Sequence, residues 1–214
     1  MTPSESADMA TKQDLILIGG GGHCLSCLDV IELHGGFNVL GIVDEKNEVH
    51  RLLGEYPLLG HEEDLPILAR TCPNFLVTIG QIKLWEPRFR VYAVLKELGV
   101  NLPTVVSPLA HVARNAKLGE GTIVMHHAVV NAGATVGGNC IINTRALVEH
   151  DAVIEDHCHI STGAIINGGA TVRQRSFIGS NAVLRERIVV GEESIVGAGV
   201  AVTQDLPSGS LIRP

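Results

Sequence analysis

Residues 124–160 read VMHHAVVNAGATVGGNCIINTRALVEHDAVIEDHCHI, and an aliphatic residue returns at every sixth position. The same spacing extends from Val112 to Val202, so that sixteen successive positions six residues apart are aliphatic. The fourth residue after each is mostly small, usually Ala, Ser, Thr or Cys. A period of six fits neither an α-helix nor a plain alternating strand. It is typical of stacked coils of short strands, which bury a continuous aliphatic column.

The composition agrees with such an interior. The chain has 214 residues, of which 45% are hydrophobic but only 3% are aromatic, and 24 are glycine. A core of this size must therefore be built from aliphatic rather than aromatic side chains, and the apolar content excludes a disordered chain. The formal net charge is −7, which argues against nucleic acid or an anionic membrane as a partner bound by charge.

The cysteines and the N-terminal residues indicate the cell compartment. Five cysteines, an odd number, show no compact spacing of a disulfide framework, and we interpret Cys24 and Cys27 as helix-packing residues. Residues 1–13 carry Ser, Glu, Asp and Lys without the apolar segment of a signal peptide, and we predict a disordered tail there. No stretch approaches the roughly 20 apolar residues of a membrane helix. We therefore expect a cytoplasmic protein with reduced thiols.

The N-terminal half has the order strand, glycine loop, helix, strand. Residues 15–18 (LILI) form a buried-strand run, which leads into GGGGH at residues 19–23 and then into an apolar-periodic stretch. Residues 39–44 (VLGIVD) follow as a second strand. The pattern predicts a further strand at residues 75–80 and a helix at residues 88–98. This order predicts a Rossmann-like α/β domain.

The glycine loop predicts a site for a nucleotide-type anion. A glycine loop before a helix lets backbone N–H groups approach an anion at the positive end of the helix dipole. The dinucleotide fingerprint is incomplete, because Cys24 stands where its third glycine belongs. A nicotinamide cofactor is therefore disfavoured. Asp44, at the end of the second strand, suits a contact with a ribose or a base.

The hexads resemble the repeats of the hexapeptide-repeat acyltransferase superfamily. Repeats of that superfamily fold as a left-handed parallel β-helix with three hexads per coil. The resemblance implies this all-β fold for residues 107–214, after a Rossmann-like domain at residues 14–106. It also implies a homotrimer, with acyl-CoA bound in the groove between neighbouring subunits.

The two halves together resemble a narrower family, the sugar O/N-acyltransferases. The combination rests on the glycine loop ending in His23, on VEHD at residues 148–151 and on HIS at residues 159–161. The family includes bacterial nucleotide-4-amino-sugar N-acetyltransferases of the bacillosamine and perosamine types, and sialic-acid O-acetyltransferases. The resemblance covers nearly all of residues 14–207. It implies acetyl transfer from acetyl-CoA to the 4-amine of a nucleotide-linked 4-amino-6-deoxy sugar, with UDP favoured, in glycan biosynthesis.

The residues of this motif support the same chemistry. His150 lies off the inward aliphatic position of its hexad, so its imidazole can reach the outer groove. An unperturbed histidine has a pKa of about 6.5, close enough to neutrality to accept a proton. Asp151 follows directly and can orient the ring. Because an amine must lose a proton as it attacks a thioester, we predict His150 as the general base and Asp151 as its orienting partner.

The resemblance implies two further sets of site residues, matched position by position. The first holds the sugar nucleotide and consists of Gly21, Gly22, His23, Asp44, Glu45, Gly80 and Gln81. The second holds acetyl-CoA and consists of His159, Gly168, Ser180 and Ala198. A backbone N–H around Gly168 is the expected oxyanion donor. No metal is expected, because the histidines lack a carboxylate-rich set of neighbours.

Other interpretations stay open from the sequence. The acceptor can instead be GDP-perosamine, or the hydroxyl of a sialic acid, since hydroxyl and amine acceptors both need a base. A different class is a non-catalytic trimeric scaffold that binds a sugar nucleotide without acetyl-CoA turnover. The His150–Asp151 pair argues against that scaffold. Binding of UDP or GDP distinguishes the two nucleotide-linked acceptors.

Overall fold

The computed structural model describes residues 11–45 and 55–214. Most of the expected disordered tail, residues 1–10, lies outside the described residues, and the first strand already begins at Gln13. The described residues form an α/β unit followed by a long run of two-residue strands. No helix among them is long and apolar enough to cross a bilayer.

The α/β unit contains a parallel sheet with the strand order β3-β2-β1-β4. Its elements, in chain order, are β1 Gln13–Ile18, α1 Gly22–His34, β2 Phe37–Val43, β3 Leu58–Gly60, a 3-10 turn Glu62–Asp64, α2 Leu65–Leu68, β4 Phe75–Val77 and α3 Glu86–Glu97. The predicted strand, glycine loop, helix and strand are confirmed. The strand predicted at residues 75–80 is shorter, and β3 was not predicted.

Central strand β1 is buried on both faces. Leu15 and Leu17 pack with the buried face of α1, while Ile16 and Ile18 pack with Val91 and other residues of α3. A parallel strand covered on both sides needs a continuous apolar run rather than an alternating one. The LILI sequence therefore produces the central strand of a Rossmann-like unit.

Helix α1 begins and ends at glycines. It starts directly after Gly21, whose backbone is extended. It ends at Gly35, which adopts a left-handed conformation with φ 74° and donates its N–H to the carbonyl of Ile31. Glycine is favoured at such a C-terminal cap because it has no Cβ to clash. The N-terminus of α1 therefore lies directly after the glycine loop.

The second part is the predicted left-handed parallel β-helix, whose strands form three sheets. The seven-stranded sheet contains β5 Val105–Val106, β8 Ile123–Val124, β11 Ile141–Ile142, β14 His159–Ile160, β17 Phe177–Ile178, β20 Ile195–Val196 and β22 Leu211–Ile212. The six-stranded sheet contains β6 His111–Val112, β9 Val129–Val130, β12 Leu147–Val148, β15 Ile165–Ile166, β18 Val183–Leu184 and β21 Ala201–Val202. The five-stranded sheet contains β7 Lys117–Leu118, β10 Thr135–Val136, β13 Val153–Ile154, β16 Thr171–Val172 and β19 Val189–Val190.

Each coil takes 18 residues, or three hexads. Ile141 pairs with Ile123 in the coil before and with His159 in the coil after. The second residue of each strand points inward, as Ile142, Val148 and Ile154 do, and these side chains are fully buried. The repeats predicted from the sequence are therefore confirmed. Strand β5, which the predicted boundary places before residue 107, pairs with β8 and so belongs to the β-helix sheet.

The corners of the β-helix have a backbone feature that the sequence did not reveal. Nine non-glycine residues adopt positive φ angles between 52° and 61°, at positions that differ by multiples of six: His127, Asn139, Arg145, Asp151, His157, Arg175, Asn181, Arg187 and Glu193. Glycine occupies the equivalent position at other corners. This conformation costs a non-glycine residue roughly 1–2 kcal/mol. The backbone N–H of such a corner residue donates to the preceding coil, as Arg145 does to the carbonyl of His126 and His157 to that of Gly138.

The α/β unit packs on the outer face of the seven-stranded sheet. Outward-facing Ile123 and Ile141 are fully buried against α1. Arg88, on α3, donates from Nε to the carbonyl of Asn139 at a corner of the β-helix. Asp29 of α1 accepts from Nε2 of His126, 2.7 Å away. The corner between the six- and five-stranded sheets lies opposite this face.

Candidate active site

The glycine loop forms one wall of a cavity of about 780 Å³. Its lining combines the loop with the ends of β2 and β4: Gly19, Gly20, Gly21, Gly22, His23, Asp44, Thr78, Ile79, Gly80 and Ile82. Five of the seven predicted nucleotide-binding residues therefore line one cavity. Glu45 lies on an adjoining cavity, and Gln81 lies in neither.

The loop requires glycine at position 19, whereas a side chain at Gly21 or Gly22 would have open space around it. A Cβ at Gly19, where φ is 102°, would lie 2.5 Å from Cγ1 of Ile79. A Cβ at Gly21 or Gly22 would meet nothing within 4 Å. The backbone N–H of Gly20 donates to the carboxylate of Asp44. The loop thus presents its backbone to the cavity beside the N-terminus of α1, an arrangement suited to a phosphate.

A second cavity, of about 410 Å³, adjoins the first around Gly19 and Asp44. Its lining includes Ile18, Val43, Ile79 and Pro87, with the charged residues Glu45, Glu62 and Arg90. Arg90 donates to Glu62 across 2.7 Å. Desolvation by burial is the largest influence on Glu62 and raises the pKa of its carboxyl. The apolar walls of such a cavity can pack against the flat face of a ring-shaped ligand, and its few charged groups can bind the polar edge of that ring.

His23, at the start of α1, is held neutral. Burial, with a smaller effect of the Arg88 guanidinium, lowers the pKa of this imidazole to about 3. Among the described residues, its Nε2 has no hydrogen-bond partner, and the ring centroid lies 6.2 Å from that of His159. A neutral imidazole on the cavity wall is available as a single hydrogen-bond donor or acceptor.

Gln81 and His159 join the two parts of the molecule. The Gln81 side chain is buried and donates from Nε2 to the carbonyl of His157, 3.0 Å away. The backbone carbonyl of Gln81 accepts from Nδ1 of His159, and Nε2 of His159 accepts from Asn143. Both nitrogens of His159 are therefore engaged, and burial lowers the pKa of its imidazole to about 4. The predicted roles of Gln81 with substrate and of His159 with acetyl-CoA stay predictions.

His150 and Asp151 form an exposed pair at the corner between the six- and five-stranded sheets. Nδ1 of His150 lies 3.0 Å from Oδ2 of Asp151. Because a carboxylate only accepts, Nδ1 carries the hydrogen and Nε2 is left as the basic nitrogen. The His150 side chain is 65% exposed. It lines a cavity of about 530 Å³ together with Glu149, Asn167, Gly168, Glu186 and Arg187.

Of the four predicted acetyl-CoA residues, His159 lies in β14 of the seven-stranded sheet, and the other three fall on two separate corners. Gly168 lies next to His150, one coil further along. Ser180 and exposed Ala198 lie in successive coils at the corner between the seven- and six-stranded sheets. Oγ of Ser180 is 3.0 Å from Oγ of Ser161. One chain thus brings together His150, Asp151 and Gly168, but it does not bring them to Ser180, Ala198 or the glycine loop.

Sequence reasoning missed some polar residues between the domains. Ser107 and Asp29 bond the two ring nitrogens of His126, which is thereby fixed between α1 and the β-helix. Arg88 is fully buried and also donates to the carbonyls of Val77 and Ile79. Arg88 therefore bridges the two domains, and only the packing of α3 beside the β-helix could have indicated this role.

These features are those expected of a hexapeptide-repeat acyltransferase, and comparisons with known proteins agree. Residues 14–90 match the family model of the PglD N-terminal domain. A variant of perosamine N-acetyltransferase from Caulobacter crescentus, in complex with CoA and GDP-perosamine, is 31% identical, with 94% of this chain and 93% of that chain covered and a TM-score of 0.88. The acetyltransferase domain of PglB from Neisseria gonorrhoeae, in complex with acetyl coenzyme A, is 29% identical, with coverages of 95% and 97% and a TM-score of 0.86.

The chain belongs to the hexapeptide-repeat family of sugar N-acyltransferases. A comparison with curated protein sequences finds no match. WeeI from Acinetobacter baumannii, at 20% identity, shares the fold. The predicted family, fold class and enzyme class are therefore confirmed.

Proposed function

We propose that this chain transfers an acetyl group from acetyl-CoA to the amine of a nucleoside-diphosphate-linked 4-amino-6-deoxy sugar. The observation that carries the proposal is the His150–Asp151 pair, whose Nε2 faces a cavity at the β-helix corner. Family membership and the glycine-lined cavity support it. A cytoplasmic location is part of the proposal, and it is supported by five cysteines that are all free and buried.

In the proposed reaction the sugar amine attacks the thioester carbonyl directly. Nε2 of His150 takes a proton from the attacking nitrogen, while Asp151 keeps the hydrogen on Nδ1. The C–N bond forms, the C–S bond breaks, and His150 returns that proton to the leaving CoA sulfur. A backbone N–H beside Gly168 supports the oxyanion of the tetrahedral intermediate. No acyl-enzyme is formed.

The nucleotide is proposed to bind in the α/β unit. Its diphosphate lies against Gly21 and Gly22 at the N-terminus of α1, where backbone N–H groups and the helix dipole favour negative charge. Asp44 and Glu45 contact the ribose or the base. Acetyl-CoA is proposed to lie along the β-helix against the corners that carry Gly168, Ser180 and Ala198, with His159 at its thioester end.

We further propose a homotrimer whose active site lies between chains. The α/β unit packs on the seven-stranded sheet, so His150 lies on the opposite side of its own β-helix. The outer face of the six-stranded sheet carries a column of half-buried aliphatic residues, which a neighbouring chain can cover: Val129, Leu147, Ile165 and Val183. A neighbour's His150 would then complete the cavity that holds the sugar nucleotide.

The acceptor is tested by thiol release from acetyl-CoA. The purified protein is supplied with matched UDP- and GDP-linked 4-amino-6-deoxy sugars. UDP is the nucleotide that the family resemblance implies, and GDP is the alternative favoured by the relative solved with GDP-perosamine. Release with one of the two confirms N-acetylation and identifies the nucleotide. Release with neither, in the presence of measurable nucleotide binding, contradicts the proposal.

A further inference from the structure

Two glycines from neighbouring coils enclose the His150–Asp151 pair. Gly133 lies one coil before Asp151, and a Cβ there would be 2.5 Å from Oδ1 of Asp151. Gly168 lies one coil after His150, and a Cβ there would be 2.7 Å from Nε2 of His150. Real Cβ atoms essentially never approach so closely. A side chain at either position would therefore displace one member of the pair.

Backbone conformation alone does not require these glycines. Gly133 has a φ of 73°, but Asn139, Asn181 and Asp151 itself adopt positive φ at equivalent corners. Gly168 lies outside the positive-φ region altogether. What the two positions share is the close approach of the imidazole or the carboxylate. At each of the two positions the group that leaves no room for a side chain is a member of the pair, whereas the backbone conformation alone does not exclude one.

The preceding coil also fixes the backbone of the pair. Oε2 of Glu149 accepts from the backbone N–H of His150, 3.1 Å away, and from Nδ2 of Asn131, 3.0 Å away. Asn131 lies one coil before Glu149, in the same turn as Gly133. The neighbouring coils therefore hold His150 and Asp151 in place, although both side chains are exposed.

We propose that Gly133 and Gly168 are positioning residues for the acetyl-transfer reaction. They act through the pair: Gly133 leaves room for the Asp151 carboxylate to reach Nδ1, and Gly168 lets the His150 ring lie against the next coil. Asp151 then holds the hydrogen on Nδ1 and keeps Nε2 free for the amine. The inference rests on the proposed function, since it assigns the role of the pair in that reaction.

The test compares Gly133→Asn with Gly209→Asn. Gly209 has a φ of 72° and nothing within 4 Å of its Cβ position, so this control carries the same backbone change without the crowding. Asparagine tolerates the left-handed region, which Asn139 and Asn181 already occupy. Thermal unfolding of both variants measures how far each substitution lowers the stability of the protein.

Two readouts separate positioning from a structural role. In Gly133→Asn, kcat is expected to fall roughly 10- to 100-fold, the scale of a misplacement of about 1 Å, with the KM for acetyl-CoA within about threefold of wild type. Nitrogen-15 NMR of the His150 ring should show loss of the Nδ1–H tautomer. Gly209→Asn should retain both the rate and the tautomer. Gly168→Ala should reproduce the loss of kcat.

A double-variant cycle gives the sharpest outcome. If Gly133 acts through Asp151, Gly133→Asn adds little to the rate loss of Asp151→Asn. An equal further loss in that background would overturn the proposal, as would an unchanged tautomer in Gly133→Asn. The tautomer measurement needs no substrate. It therefore tests the positioning even if the wild-type protein fails to acetylate the amino sugars, which would contradict the proposed function alone.

Discussion

The two nitrogens of His150 have different surroundings, and this difference assigns its role. Nδ1 faces Asp151, whereas Nε2 lies against Gly168 and the open cavity. His159 is the opposite case, because both of its nitrogens bond to the protein within a buried contact. An exposed, half-satisfied imidazole can exchange a proton with a substrate. A buried imidazole with both nitrogens hydrogen-bonded to the protein has neither nitrogen free to take a proton from a substrate.

Gln81 provides a test at a single residue. Replacing Gln81 with Ala removes the donor to the buried carbonyl of His157. An unsatisfied buried acceptor costs about 1–3 kcal/mol, so we expect the free energy of unfolding to fall by that amount. Urea denaturation measures it. Full stability in the variant would show that this hydrogen bond does not stabilise the domain contact.

The same variant also tests the role predicted from the sequence. If Gln81 binds the sugar nucleotide, Gln81→Ala should weaken nucleotide binding even where the variant remains folded. Isothermal titration calorimetry with UDP and GDP measures that loss. The sequence predicted the His150–Asp151 pair because the two residues are adjacent in the chain. It did not predict the burial of Gln81, because its partner lies 76 residues away on the other domain.

At the scale of the element, neighbouring residues of one strand should differ sharply in their contribution to stability. In β13, Ile154 is fully buried in the β-helix core and Val153 is 36% exposed. Ile154→Ala should destabilise the protein by about 2–5 kcal/mol because it leaves a cavity. Val153→Ala should cost less, about 1 kcal/mol or below. Thermal unfolding compares the two, and equal losses would contradict the inward assignment of Ile154.

The repeat was predictable from the sequence because its signal is local. Each inward residue recurs every six positions, so the aliphatic pattern alone defines strands such as β11 and β12. The corner conformation was not predictable, since residues as different as His157, Arg175 and Glu193 occupy it. Strand β3 has only three residues, too few for an alternating pattern. Its place in the sheet depends on pairing with β2.

At the scale of the whole molecule, acid should weaken the fold through its buried histidines. His159 has its pKa lowered to about 4 by burial, against about 6.5 in an unfolded chain. Between these values the unfolded chain binds a proton that the folded protein excludes. Stability is therefore lost as the pH falls from about 6.5 to about 4, by roughly 3 kcal/mol for this residue.

Urea midpoints measured from pH 7.5 to pH 4.5 test this dependence. His159→Gln removes the titrating ring, so its stability should decline less steeply with acid than that of the wild type. His23, whose pKa is also lowered by burial, contributes in the same direction in both proteins. The same slope in variant and wild type would show that burial of His159 is not the cause.

Assembly of the site between chains has a direct consequence for mixed oligomers. Asp44→Ala should disable the nucleotide cavity, and His150→Ala should disable the base, each in its own chain. When the two variants are co-expressed and assemble at random into trimers, the mixture should have about one quarter of wild-type activity. Each site needs an intact cavity in one chain and an intact base in its neighbour, and each requirement is met about half of the time. Separately purified variants serve as controls. Mixed oligomers without recovered activity would place both halves of the site in one chain.

The choice between UDP and GDP depends on tertiary packing rather than on a local sequence pattern. The glycine loop and Asp44 indicate a nucleotide through charge and backbone geometry, which UDP and GDP share. The mixed polar and apolar cavity around Glu45, Glu62 and Arg90 is assembled by tertiary packing. Local sequence patterns indicate chemistry, and the choice between similar ligands depends on residues brought together only by the fold.

The most direct test of the account is the turnover rate of His150→Ala with acetyl-CoA and the preferred nucleotide amino sugar. Loss of the general base should lower kcat by about 10²–10⁴, with CoA binding by calorimetry retained. His34→Ala, an exposed histidine at the far end of α1, is the matched control and should keep its rate. Full turnover in His150→Ala would contradict its role as the base.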